Sequence, residues 1–175
     1  MSGHNKWSQI KQRKGAQDAK KSAVFSKILN AIIIAARPDP NPSTNPRLRA
    51  VVEKAKAANV PQDNITRALS RQQEKELYEF TLEAYGPEGI ALIIQAITDS
   101  TNRTNNELRK ILSDAGAKVA DPGSVLWSFT FSEANQSFSP KFTQPATGVA
   151  KENLEKIIIA INEHPDVQAV IHNAE

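Results

Sequence analysis

The chain has 175 residues, 39% of them apolar and 23% charged, with a net charge of +3 and no cysteine. That length and apolar share suffice to bury a core in one domain or two small ones. The lack of cysteine excludes disulfides, thiolate zinc sites and a cysteine nucleophile, which fits a reducing compartment and points to the cytoplasm.

The first stretch, MSGHNKWSQIKQRKGAQDAKKSAVFSK, sets seven Lys and Arg around Trp7 with only Asp18 to offset them, and reads as a basic arm. From Asp18 to Ala36 the residues Val24, Phe25, Ile28, Leu29, Ile32 and Ile33 recur at helical spacing, which predicts an amphipathic helix ending before Pro38. Its apolar run is interrupted by Lys27 and Asn30 and falls short of the roughly 20 apolar residues of a membrane span. No small-residue cleavage site follows the basic stretch, so no signal peptide is expected.

RPDPNPSTNP holds four prolines and reads as a stiff polar link. Asn45 and Pro46 then suit the N-cap and first turn of a second helix, with Leu48, Val51, Val52 and Ala55 on its inner face. A third helix is expected after Pro61, with Ile65 and Leu69 inward. Three such stripes must bury one another, which predicts a three-helix bundle over residues 1–75.

After Lys75 the period changes. Leu77–Ala84 and Ile90–Thr98, joined by YGPEG, read as a β-hairpin. TNRTNNELRKILSDAG predicts a helix with a capping box at Thr104 and Glu107 and Gly116 as its stop. DPGSVLWSFTF returns to strand character, KENLEKIIIAINEHPDV is helical up to Pro165, and VQAVI closes as a strand. Residues 76–175 therefore read as a ββαβαβ domain, a mixed sheet with its helices on one face. The fold class is multidomain, α followed by α+β. Residues 132–148 read as a long loop without periodicity, unusual in a compact domain.

Charge divides at the same point. Residues 1–75 hold 15 Lys and Arg against 5 Asp and Glu, a net of +10, and residues 76–175 hold 7 against 14, a net of −7. A half so basic calls for a polyanionic partner, nucleic acid first. The donors placed to meet phosphate are Lys6, Lys11, Arg13, Lys14, Lys20, Lys21, Lys27, Arg47, Arg49, Lys54 and Lys56, with Trp7 able to stack on a base or to anchor the arm. Arg67 and Arg71 extend the excess. The acidic residues Glu74, Glu76, Glu79, Glu83 and Glu88 read as a solvated face.

GHNKWSQIKQRKGAQDAKKSAVFSKI, NPRLRAVVEKAKAANVPQDNITRA, YGPEGIALIIQAITDSTNRTNNELRKILSDAGAKVADPGSVLWSF and HPDVQAVIHNAE together resemble the YebC family over nearly the whole chain. The resemblance implies a basic three-helix N-terminal domain followed by α/β domains. It implies the function of a transcriptional regulator, or of a translational activator like the family's mitochondrial member for cytochrome oxidase. Family members run longer, with a further α/β domain between the WSF strand and the last helix, so the loop at 132–148 stands where that domain is missing.

No GxGxxG, GxxxxGK[ST] or HExxH pattern occurs. His4, His164 and His172 are too scattered for a metal site, although the last two could converge at one end of the final strand. Asp99, Asp114 and Asp121 suit caps and turns better than acid/base work. The expectation is a non-enzymatic regulator that binds DNA through its basic half, with ribosomal RNA at the ribosome as the alternative partner. No cofactor, membrane or small-molecule substrate is expected.

Overall fold

The computed structural model describes residues 3–73, 76–133 and 136–175, with side chains from Asp18 onward in the first helix. That helix, α1 (Gly3–Ala36), is 34 residues long, so the basic segment continues the helix rather than preceding it. At 1.5 Å per residue it extends about 50 Å. Its partners α2 (Pro46–Ala57) and α3 (Gln62–Ser70) are much shorter. Burial on α1 accordingly begins near Phe25 and Ile28, and every residue from Asp18 to Val24 is exposed.

Asn45 caps α2 as expected: its side chain accepts from the Leu48 N–H at 3.0 Å. The same amide donates to the carbonyls of Ala35 and Asp39, both at 2.7 Å, tying the end of α1 to the proline-rich link. Asn59 ends α2 in the left-handed region at φ 59°. The Val60 N–H reaches back to the Ala55 carbonyl and the Asn59 N–H to that of Lys56, the hydrogen-bond pattern that usually recruits glycine. In α3 Ile65 and Ala68 are buried, while Leu69 is only half-buried.

The sheet has the order β3-β1-β2-β6, built from β1 (Tyr78–Tyr85), β2 (Ala91–Thr98), β3 (Lys118–Val119) and β6 (Val167–His172). Every pairing in it is antiparallel. β2 and β3 do run parallel, as the intervening helix α4 (Thr101–Asp114) requires, but β1 lies between them. The WSF segment is not the third sheet strand. Trp127 and Ser128 lie in a 3-10 turn (Leu126–Ser128), and Phe129 begins β4 (Phe129–Ser132), which pairs with β5 (Ser137–Pro140) in a separate hairpin.

Residues 132–148 thus include a strand rather than a bare loop. Phe138 packs on Phe131 with ring centroids 4.9 Å apart, the Gln144 N–H donates to the Asn173 carbonyl, and Ala146 is buried. Their Ser, Pro and Gln content hides this, because the anchoring partners are distant in sequence. The cap of helix α4 lies four residues before the expected one. Ser100 accepts from the Arg103 N–H, whereas Thr104 is fully buried inside the helix. Gly116 ends it at φ 81°, as expected.

Alternation across the sheet creates two faces. Leu82, Ala84, Leu92 and Ile94 pack under α4 and α5 (Gly148–Asn162) with Leu108, Leu112, Leu154, Ile157 and Ile161. On the opposite face Ala91 and Ile93 meet Val125, Phe129 and the β4–β5 hairpin. At the far end of β2, Ile97 joins Leu77 in the core of the helices, with Ile28, Ile32, Leu48 and Ile65.

Candidate nucleic-acid interface

The cations of the helices fall into two groups according to what they face. On α2 the three- and four-residue spacing puts Arg47, Val51 and Lys54 on the stripe toward the sheet and Arg49, Glu53 and Lys56 on the outer stripe. Arg47 is half-buried and ion-paired to Glu79 on β1. Lys27 on α1 is half-buried as well, and its ammonium donates to the Asn162 carbonyl at the end of α5, at 2.6 Å. Burial pulls the Lys27 ammonium below the usual lysine range, with the nearby Asp166 charge pulling the other way. Both residues pin the helices to the α/β part, a task the sequence does not distinguish from phosphate binding.

The remaining described donors, Lys20, Lys21, Arg49, Lys54 and Lys56, are exposed, and none of them has an ion-pair partner among the described residues. Lys21 lies over the Phe25 ring at 5.5 Å. The side chains of Lys6, Trp7, Lys11, Arg13 and Lys14 lie outside the described residues.

Two further cations belong with the exposed group. Arg67 and Arg71, one helical turn apart at the end of α3, line a groove of about 370 Å³ between α1 and α3 together with Ser26, Asn30 and Asn64. Neither arginine has an ion-pair partner among the described residues. Their four-residue spacing was the only sign of this in the sequence; Asn64 lies on the same helix, but Ser26 and Asn30 beside them come from α1.

The acidic residues divide in the same way. Glu83 is only 4% exposed and is not part of a solvated face. Its carboxylate accepts from the backbone N–H groups of Gly123 at 2.5 Å, Val125 at 2.6 Å and Leu126 at 2.9 Å, which shapes the turn leading to the β4–β5 hairpin. Asp166 accepts from the Thr104 hydroxyl at 2.6 Å and from Arg103 at 2.9 Å. Burial alone would raise its pKa, but those bonds and one from Thr98 outweigh it and hold the carboxyl below the usual range. His164 bonds Glu107 at 2.9 Å and precedes β6, while His172 ends that strand, so the two do not converge. Among the described residues no group of three or more potential metal ligands assembles.

The N-terminal domain of TACO1/YebC proteins matches residues 5–75, and the second and third domain of the same proteins matches residues 77–132. The chain belongs to the TACO1/YebC family. A relative from Fervidobacterium nodosum is 48% identical over 167 residues, covering 89% of this chain and 66% of that protein. Relatives from Petrotoga mobilis and Thermotoga maritima are 52% and 50% identical over 134 residues, 74% of this chain and 53% of theirs. All three bear the name "Probable transcriptional regulatory protein". This chain therefore spans between about half and two thirds of their length. The crystal structure of a conserved hypothetical protein from Aquifex aeolicus superposes with a TM-score of 0.81 at 26% identity, covering 90% of this chain and 91% of that one.

Proposed function

We propose that this chain is a regulatory protein that binds nucleic acid through its helical half, engaging the phosphate backbone of DNA. The observation that carries the reading is the sorting of the cations. Arg47 and Lys27 are engaged within the molecule, by Glu79 and by the Asn162 carbonyl, whereas Lys20, Lys21, Arg49, Lys54, Lys56, Arg67 and Arg71 stand exposed without an anionic partner among the described residues. Unpaired surface cations on a folded frame favour a polyanion and release its counterions on binding. Residues 1–75 would then form the nucleic-acid-facing unit and 76–175 the acidic unit that carries it, with no catalytic step involved. The relatives' name supports a transcriptional role. A protein of this kind works in the cytoplasm.

One observation favours ribosomal RNA as a second reading. α2, a short turn and α3 follow one another as in a helix-turn-helix, but the first turn of α3 carries Asp63 and its cation lies in the last turn, at Arg67. A recognition helix contacts base edges with its N-terminal residues, where an acidic group faces phosphate repulsion. Backbone and shape recognition suits either nucleic acid.

Binding to duplex DNA is expected to weaken with a log–log salt slope of about −4 to −5, for about four to six phosphates engaged. A flat response from about 50 to about 200 mM salt would overturn the reading. Crosslinking in cells followed by sequencing distinguishes its two forms, promoter DNA supporting the first and ribosomal RNA the second.

A further inference from the structure

On the sheet face opposite α4 and α5, the helices cover one end and the β4–β5 hairpin the other, which leaves a cleft of about 320 Å³ between them. Its walls are apolar, from Val51 on α2 and Ile97 on β2, and its floor and rim carry Gln95, Gln136, Gln168 and Lys54. This composition, apolar walls with a few convergent polar groups, is that of a small-ligand site.

Gln168 occupies an unusual position. The β2–β6 register passes from Gln95↔Ala169 to Ala96↔Val167, so Gln168 is the extra residue of a β-bulge. Bulges re-aim side chains and are enriched beside functional sites. The Gln168 amide nitrogen is buried and has no hydrogen-bond partner among the described residues. Such a donor costs free energy unless a partner arrives. Gln95 and Gln136 differ in this respect: the Gln95 amide donates to the Gln136 carbonyl at 3.3 Å and the Gln136 amide to that of Glu133 at 3.0 Å. The carboxylate in the cleft, Glu79, is neutralised by Arg47, whereas Lys54 has no ion-pair partner among the described residues.

We infer that this cleft binds one unstacked adenine nucleotide of a single-stranded segment, and the inference rests on the nucleic-acid reading above. A glutamine amide pairs bidentately with adenine, its oxygen accepting from N6 and its nitrogen donating to N7. Val51 and Ile97 supply apolar surface for the base, and Lys54 at the rim meets the phosphate. A duplex cannot present its bases to such a cleft, so the occupant is an unpaired nucleotide.

The test uses the full chain with 5′-AMP, 5′-UMP and inorganic phosphate, followed by A-rich and U-rich RNA oligomers. AMP is expected to shift the side-chain amide NMR signals of Gln168 and Gln95, with UMP binding at least about tenfold more weakly and phosphate leaving both signals unmoved. Gln168→Leu should reduce A-oligomer affinity about tenfold without changing the salt slope. Arg49→Glu with Lys56→Glu should weaken both oligomers equally. Gln168→Glu, which keeps the size and the bulge, guards against a folding artefact and should weaken AMP binding as well. Equal AMP and UMP affinity, or unchanged A-oligomer binding in both Gln168 variants, would overturn the cleft inference while the backbone reading stands. Loss of all oligomer binding at low salt alongside intact AMP binding would overturn the backbone reading and leave the cleft.

Discussion

Glu79 and Glu83 lie on the same strand and point to the same side of the sheet, yet one ends in a surface ion pair and the other in a nest of three backbone N–H groups. The difference is what lies above each: α2 over Glu79, the Gly123–Leu126 turn over Glu83. Removing the second carboxylate orphans one buried donor, the Val125 N–H, and two part-buried ones, and a buried donor alone costs about 1–3 kcal/mol. Glu83→Ala is therefore expected to destabilise the chain by at least about 2 kcal/mol in urea denaturation and to speed hydrogen exchange at Val125. A change within the ordinary surface range of about 0.5 kcal/mol would count against this account. Asp166 adds a pH signature. Its folded pKa is depressed, so the ionised form contributes stability above the ordinary aspartate value of about 3.9 and that stability is lost as pH falls through the lower folded value. Asp166→Asn should lower stability at neutral pH and flatten the decline below about pH 4; urea midpoints from pH 7 downward with parallel curves would contradict it.

At the scale of elements, α2 depends on one side chain at its start. Asn45 caps the helix and also donates to two carbonyls of the preceding segment, so a single amide fixes the angle between α1 and α2. Asn45→Ala is expected to cost about 2 kcal/mol, more than a solvent-exposed cap, and Asn45→Asp less, because it keeps the cap and loses only the donors. Equal losses in the two variants would show that the cap alone matters. The hairpin β4–β5 is the opposite case: it rests on the Phe131–Phe138 pair and on its own Phe129 packed with Val125, Ala91 and Ile93, contacts that no local propensity announces.

For the whole molecule, the helical half is not closed on its own. Ile97 of β2 and Leu77 fill the core between α1, α2 and α3, and Arg47 and Lys27 find their partners in the α/β half. A fragment ending at residue 75 should remain helical but melt at lower temperature than the full chain and bind nucleic acid with less than its full affinity. Circular dichroism of the fragment checks this, and a melting temperature equal to the full chain's would contradict it. The same contacts leave Arg49, Lys56, Arg67 and Arg71 exposed, so the α/β half sorts the cations by engaging Arg47 and Lys27.

The three helices, the β1–β2 hairpin, helices α4 and α5, the last strand and the charge division can all be read from the amino-acid order. Those features are local: apolar residues at periods of 3.6 or 2, a proline after a cap, a glycine at a stop. Packing between distant segments sets β1 between β2 and β3, sends the segment from Phe129 out of the sheet into its own hairpin, and buries Glu83 but not Glu79. It also decided that Lys27 and Arg47 are pins whereas Arg67 and Arg71 share an open groove, and that a bulge turns Gln168 into a cleft. Each depends on which distant segment lies opposite a residue, and a residue's charge and spacing are the same whichever segment that is.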